Sequence, residues 1–145
     1  MKRTFLRKQS KSETATLKRE IQKVLREIVI VRDKGCIFRH YPEAGLCGGY
    51  RQDGKLILQY DHLHSRVFSI SYGDPRLGVC VCKRHHIFWK RNQPDLYSKL
   101  ARKFIGKERS DLLDRVQADT KPYHMTAYDW SKLLAGLKQE YKEIL

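Results

Sequence analysis

The sequence is poor in the long apolar segments that membrane insertion or secretion requires. Residues 28–31 form a short apolar run, far below the ~20 residues that a membrane-spanning helix needs. The N-terminus begins Met1-Lys2-Arg3 and lacks the apolar stretch and small-residue cleavage site of a secretory signal. We therefore expect no membrane association and a location in a reducing cytoplasm.

Acidic residues are scarce relative to basic ones. The 145 residues include 30 Lys and Arg but only 16 Asp and Glu, which gives a formal net charge of +14. Such an excess favours a polyanionic partner, because each phosphate that Lys or Arg neutralises releases a condensed counterion. The alternative is a protein that is basic without a nucleic-acid partner.

Cysteine is also rare. Its four occurrences are Cys36, Cys47, Cys80 and Cys82. In a reducing compartment we expect such cysteines to be metal ligands or buried thiols rather than disulfide partners.

The spacing of apolar residues divides the chain into four parts. Residues 1–16 show no clear period and are predicted to form a flexible basic arm. Apolar residues at helical spacing then predict an amphipathic helix over residues 17–34, with a basic outer face. Residues 35–108 form a mixed central part, and residues 109–145 are predicted to be C-terminal helices.

The central part begins with a glycine-rich segment and a hairpin turn at residues 52–55. One predicted strand, residues 56–60, leads directly into Asp61-His62, and a second, residues 77–81, leads into Cys82. From Ile87 onward the pattern is helical, with breaks at Gly106 and at Lys121-Pro122.

Two segments in this central part carry residues suited to metal chemistry. The first is Tyr60-Asp61-His62-Leu63-His64-Ser65-Arg66, and the second is Val81-Cys82-Lys83-Arg84-His85-His86-Ile87-Phe88-Trp89-Lys90. They resemble the HNH (ββα-metal, or His-Me finger) endonuclease family, in which Asp-His ends the first strand and Cys-x-x-Cys-His-x-x-(x)-Lys opens the helix. The resemblance spans about residues 35–108, and its later part is similar to phage recombination nucleases of the NinG and Rap type.

The resemblance implies an α+β fold. A ββα-metal core with a structural zinc site would be flanked by the N-terminal amphipathic helix and a helical C-terminal tail. It also implies hydrolysis of DNA phosphodiester bonds, with His62 as the general base and with Asp61 and His86 holding a catalytic Mg²⁺ or Mn²⁺. A neutral histidine can take a proton from water near pH 7. A hard divalent cation stabilises the phosphate and the leaving oxygen.

The structural zinc is expected to bind Cys36, Cys47, Cys82 and His85. The chain departs from the family here, because ten residues separate the first pair instead of two and His85 stands where a cysteine is usual. Zinc accepts imidazole as well as thiolate, so a tetrahedral site with three cysteines and one histidine is chemically sound. Cys80 and His40 remain alternative ligands.

A second departure concerns an Asn that the family places on the second strand, where it steadies the loop that carries the base. This chain has Leu77 at that position. Two alternatives to a DNA endonuclease therefore stay open: a zinc-stabilised, non-catalytic DNA-binding module with an HNH-like fold, and a nuclease directed at RNA.

The expected partner is DNA, either duplex or branched, in the cytosol of a bacterium or a phage-infected host. Basic residues near the motif are expected to contact its phosphates: Arg66, Lys83, Arg84, Lys90 and Arg91. Phe88, Trp89 and Tyr97 are predicted to pack in the helix core rather than to stack on bases. Cutting both strands with a single site per chain would favour a homodimer.

Overall fold

The computed structural model describes residues 2–64, 71–119 and 124–145, and for residues 2–12 the backbone alone. The helices are α1 (Lys2–Asp33), α2 (Lys90–Asn92), α3 (Pro94–Ala118) and α4 (Ala127–Ile144), and the strands are β1 (Leu58–His62) and β2 (Gly78–Cys82). Short 3₁₀ turns lie at Ile37–His40, Pro42–Ala44 and Pro75–Leu77, and a π-helix spans Arg84–Trp89. The fold of these residues is thus mixed, mostly helical with one small sheet.

Helix α1 begins at Lys2, well before the predicted start at Leu17. Residues 2–16 contain no glycine or proline, so the backbone continues as a helix even where no apolar stripe is present. From residue 17 onward the predicted stripe is confirmed, since Ile21, Leu25 and Ile28 are buried. Basic residues on the outer side of this part of the helix are exposed, namely Arg19, Lys23 and Arg26.

The sheet has two antiparallel strands, in which Tyr60 is paired with Cys80 and Asp61 with Val79. Both strands begin one or two residues later than the sequence predicts. The hairpin turn before β1 is confirmed, because Arg51 N–H donates to the Lys55 carbonyl and Tyr50 forms a bridge with Leu56.

Successive strand residues point to opposite faces, and each face packs against a different set of helices. On one face, Tyr60 and Cys80 join the apolar stripes of α1 and α4, including Trp130 and Leu134. On the other face, Val79 and Val81 pack against the 3₁₀ turn at Ile37–His40 and against helix α3. The buried residues of these two elements are Ile37, Phe38, Tyr97, Leu100 and Ala101. The sheet is therefore covered on both sides.

The backbone of β2 is also bonded by side chains of α1 and α3. The Asp33 carboxylate accepts the Cys80 N–H at 2.9 Å, and Arg32 and Arg109 both donate to the Gly78 carbonyl. Burial, followed by the positive charge of Arg32, lowers the pKa of Arg109 to about 10. These bonds join the end of α1 and the middle of α3 to the strand that leads to Cys82.

The C-terminal helices follow the predicted breaks where the structure describes them. Gly106 interrupts α3 with φ 83 and ψ 175, as expected for a break at that residue. Helix α4 begins with a capping box between Thr126 and Asp129. The predicted break at Lys121-Pro122 lies outside the described residues.

Candidate metal centre

The four expected zinc ligands come together at one point in the fold. The ligand atoms of Cys36, Cys47, Cys82 and His85 all lie within 4.8 Å of one another. Nδ1 of His85 is 3.0 Å from the Cys82 sulfur and 3.6 Å from the Cys36 sulfur. Zinc bonds of about 2.0–2.3 Å at tetrahedral angles place ligand atoms roughly 3.5–3.8 Å apart. The cluster is therefore compatible with a structural metal such as zinc.

The hydrogen bond of the second ring nitrogen of His85 supports a role for this side chain as a metal ligand. Nε2–H donates to the Ala44 carbonyl at 2.9 Å, which leaves Nδ1 as the nitrogen facing the sulfurs. Metal-binding histidines commonly have such a carbonyl partner, because it fixes both the tautomer and the ring plane. The His85 ring also packs against Phe38 and Trp89, so this side of the cluster is apolar.

The electrostatics of the cluster favour a thiolate. A hydrogen bond from the Cys36 thiol holds the pKa of Cys82 well below the ordinary thiol value, and the same bond raises the pKa of Cys36. Burial raises the pKa of Cys47. A cation placed among these sulfurs would favour further deprotonation, because the thiolate is the form that binds metal.

Local structure explains how ten intervening residues still bring Cys36 and Cys47 together. The two 3₁₀ turns, at Ile37–His40 and Pro42–Ala44, fold the chain back, and Gly45 follows with a positive φ of 72°. Gly49 has a positive φ of 87°, and a Cβ at this position would lie 2.7 Å from Cβ of Lys83. The loop can therefore approach the start of the π-helix only because glycine is present.

The two alternative ligands lie elsewhere. Cys80 is buried in the core that α1 and α4 share, on the opposite face of the sheet. His40 stacks on Phe104 with ring centroids 6.0 Å apart. The quartet that the resemblance implies is thus the group that the fold assembles.

Asp61 and His86 also lie side by side, next to this cluster in the chain. Nε2 of His86 is 3.2 Å from Oδ1 of Asp61, and Nδ1 of His86 is 2.7 Å from Oε1 of Gln59. Gln59 thus orients the imidazole so that Nε2 faces the carboxylate. Strand alternation could have identified Gln59, since it lies two residues before Asp61 and shares its face.

Asp61 has two further partners that the sequence does not predict. Nζ of Lys90 lies 2.9 Å from both carboxylate oxygens, and the Tyr97 hydroxyl donates to Oδ2 at 2.6 Å. Burial raises the pKa of Asp61, but the His86 hydrogen bond, the charge of Lys90 and the Tyr97 hydroxyl together hold it below its ordinary value. Lys90, which the sequence predicts to contact phosphate, thus lies against this carboxylate.

His62 lies on the other face of β1. Its Nε2–H donates to the Tyr72 carbonyl at 3.0 Å, and its ring packs against Tyr60 and Tyr72. The residue is 5% exposed. Leu63, which follows it, donates its N–H to the Leu77 carbonyl at 2.9 Å. The structure therefore brings Asp61 and His86 together and places His62 among different neighbours.

The remaining predicted contact residues are spread around the start of the π-helix. Arg84 is exposed, packs against Gly45 and Gly48 and donates to the Leu46 carbonyl. Lys83 packs against Gly49, and Arg91 is exposed. Arg66 lies outside the described residues.

Among the aromatic residues of this region, the prediction for Phe88 is wrong. Trp89 and Tyr97 pack in the core as predicted. Phe88 is 61% exposed, because the π-helix turns it away from the core that holds its neighbour Trp89. Sequence spacing alone did not indicate a π-helix, whose wider turn shifts every later side chain.

Comparisons with protein-family models, with curated proteins and with solved structures find no match to this chain. Within the described ranges, no helix combines the length and the apolar character needed to cross a membrane.

Proposed function

We propose that this chain is an HNH-type endonuclease that hydrolyses DNA phosphodiester bonds with a divalent cation. The observation that carries the proposal is the pairing of Asp61 with His86, one residue beyond a Cys₃His cluster. A carboxylate from a strand and an imidazole from the following helix, with donor atoms 3.2 Å apart, form two ligands that Mg²⁺ or Mn²⁺ accepts.

A divalent cation at this site would have to displace the ammonium group of Lys90. This ammonium group stands at the carboxylate, so the pocket already suits positive charge. A divalent cation would replace it there, and Lys90, whose side chain is 40% exposed, would turn towards solvent and the phosphate. The bound cation would neutralise charge on the phosphate and on the leaving oxygen.

His62 supplies the proposed proton transfer. His62 is the last residue of β1 and follows Asp61 directly, so both residues lie at the carboxyl end of the strand. The Tyr72 carbonyl orients the His62 ring. His62 and Asp61 are 5% and 3% exposed, and the proposal therefore requires DNA binding to uncover them.

The finer parts of the proposal follow from the resemblance. The preferred substrate would be branched or junction DNA of phage-type recombination rather than linear duplex, and a homodimer would allow both strands to be cut. The zinc would be structural. The reducing cytosol of a bacterium or phage-infected host would suit four free cysteines.

A non-catalytic DNA-binding module is the second candidate. Two observations favour it: Lys90 and Tyr97 already satisfy the Asp61 carboxylate, and Leu77 stands where the family has Asn. In this case the fold would keep its metal cluster and its basic surface without hydrolysing DNA.

Cleavage of plasmid and junction DNA with Mg²⁺ or Mn²⁺ separates the two candidates. We expect wild-type protein to cut and His62→Ala to be slower by about 10²–10⁴, the usual contribution of a general base. His40→Ala is the matched control, since His40 lies away from Asp61 and should cut normally. Near-normal cutting by His62→Ala would exclude His62 as the base, and DNA binding without any cutting by wild type would select the binding module.

A further inference from the structure

Four large apolar side chains are exposed on two segments that meet at the start of the π-helix. Leu46 and Tyr50 come from the loop that carries Cys47, and they are 86% and 61% exposed. Ile87 and Phe88 come from the π-helix and are 44% and 61% exposed. Large apolar side chains grouped on a surface commonly mark a binding site.

Backbone and side-chain contacts hold these two segments against each other. Arg84 donates to the Leu46 carbonyl, and Arg84 N–H donates to the Gly48 carbonyl at 3.2 Å. Lys83 packs on Gly49, the neighbour of Tyr50. Phe88 follows Arg84 by about one turn of the π-helix. We call Leu46, Tyr50, Lys83, Arg84, Ile87 and Phe88 the hairpin–π surface.

The hairpin–π surface combines rings with positive charge, which limits the chemistry of its partner. Arg51, Lys55 and Arg91 are exposed near its edges. A polyanion would pair with the Lys and Arg side chains, and a flat aromatic base would stack on the Tyr and Phe rings. Duplex DNA offers its phosphates, but its base faces are already stacked on each other. An unpaired strand offers both its phosphates and accessible base faces.

We propose that the hairpin–π surface binds unpaired nucleotides of single-stranded DNA. Phe88 and Tyr50 stack on bases, while Lys83, Arg84 and Arg91 contact the adjacent phosphates. The inference rests on the proposed function in that it takes DNA as the partner, but it does not require cleavage. Because Ile87 follows His86 directly, a strand bound here would lead towards the Asp61–His86 pair.

The test is binding of the zinc-loaded full chain to fluorescein-labelled oligo-dT and to a blunt duplex of equal length, without added Mg²⁺ or Mn²⁺. We expect Phe88→Ala and Tyr50→Ala each to bind oligo-dT about 5- to 150-fold more weakly, the change that follows loss of one base stack. Duplex affinity should stay near the wild-type value. Phe88→Trp should restore oligo-dT binding, since an indole also stacks.

Matched controls separate stacking from charge and from general damage. Tyr128 on α4 is 74% exposed, so Tyr128→Ala should bind both DNAs as wild type does. The salt dependence of oligo-dT binding should be unchanged in Phe88→Ala and shallower in Arg91→Gln, because only the latter removes a phosphate contact.

Three results would overturn the inference. One is oligo-dT affinity that is unchanged in both aromatic variants, and another is an equal loss of duplex affinity. The third is a change of oligomeric state in Phe88→Ala with DNA affinity per chain unaltered, which would assign the surface to a second copy of the chain. A wild-type protein that binds oligo-dT through these rings but never cuts DNA would refute only the nuclease proposal.

Discussion

Asp61 shows how much of the site depends on single side chains. A carboxylate that is 3% exposed loses free energy of hydration unless donors replace the water. Here Lys90, His86 and Tyr97 supply those donors. Burial and then the charge of Asp61 raise the pKa of Tyr97 well above its ordinary value, so its hydroxyl keeps the proton that it donates.

We predict that Asp61→Asn lowers the free energy of unfolding by about 1–3 kcal/mol at neutral pH, because charged donors lose their acceptor. The pKa of Asp61 is lowered in the folded protein. Its stabilisation is therefore present above the ordinary carboxyl pKa and is lost as the pH falls from there through the lowered pKa. The difference between variant and wild type, measured by urea unfolding, should shrink over that acidic range.

Asp114→Asn is the control for this prediction. Asp114 pairs with Arg102 at 2.9 Å, but its side chain is 63% exposed, so the change should be below about 1 kcal/mol. Equal effects of the two substitutions would contradict a special role for the buried carboxylate.

At the residue scale, the sequence predicts contacts that lie close together in the chain better than contacts between distant segments. The resemblance carried by Asp61, Cys82, His85 and His86 implies two adjacent groups of ligands. The hydroxyl of Tyr97 reaches Asp61 from a helix that begins at Pro94, and no local pattern reports that packing. The prediction that Phe88 packs in the core is wrong because the exposure of this side chain depends on the π-helix, which no local pattern indicates.

At the scale of elements, the metal cluster joins the loop before β1 to the end of β2 and the π-helix. Cys36 and Cys47 come from the loop side, while Cys82 and His85 come from the strand end and the helix. The backbone hydrogen bonds within residues 36–45 are local to the 3₁₀ turns, so a bound metal would add a link from Cys36 and Cys47 to Cys82 and His85.

We predict one zinc per chain by elemental analysis, and loss of that zinc in Cys47→Ser. The free energy of unfolding should fall by roughly 4 kcal/mol or more, the range in which loss of a metal site lies. Cys80→Ser is the matched control, because Cys80 is equally a free cysteine but packs against α1 and α4. Zinc retained in Cys47→Ser, or lost in Cys80→Ser, would contradict the assigned ligands.

Replacing each of two helix glycines by alanine should change the free energy of unfolding in opposite directions. Gly106 has φ 83 and ψ 175, a conformation that side chains rarely adopt, although space around it is open. Gly136 lies inside α4, also with open space, and has helical geometry. Thermal unfolding should show Gly106→Ala destabilised by about 1–3 kcal/mol and Gly136→Ala stabilised by about 0.5–1 kcal/mol. Stabilisation by both substitutions would mean that the break at Gly106 is not required.

The sequence predicts well those elements that depend on residue spacing and on turn residues within one segment of the chain. The stripe of α1, the hairpin turn at 52–55, the break at Gly106 and the helix α4 all follow from spacing and from turn residues. The 3₁₀ turns and the π-helix do not, because packing of His85, Phe38 and Trp89 around the cluster decides them.

The whole molecule places its sheet between two helical layers and exposes many of the basic residues that the structure describes. The exposed side of α1 carries Arg19, Lys23 and Arg26, while its apolar side is buried against α4. Exposed Arg84 and Arg91 lie at the π-helix. Because the net charge is +14, few acidic groups are present to neutralise these residues.

We therefore predict that DNA affinity falls steeply with salt and depends little on sequence. If about six phosphates are contacted, log K should fall with log salt at a slope of about −5. Replacing both Arg19 and Lys23 by Gln should make the slope shallower by about 1 for each phosphate contact that α1 provides. Lys107→Gln is the control, since Lys107 is bound to Asp111 at 2.9 Å and should leave the slope unchanged. A flat salt response in the wild-type protein would show that the charge is not used to hold DNA. An unchanged slope in the α1 double variant, with a steep wild-type slope, would instead confine DNA to the hairpin–π surface.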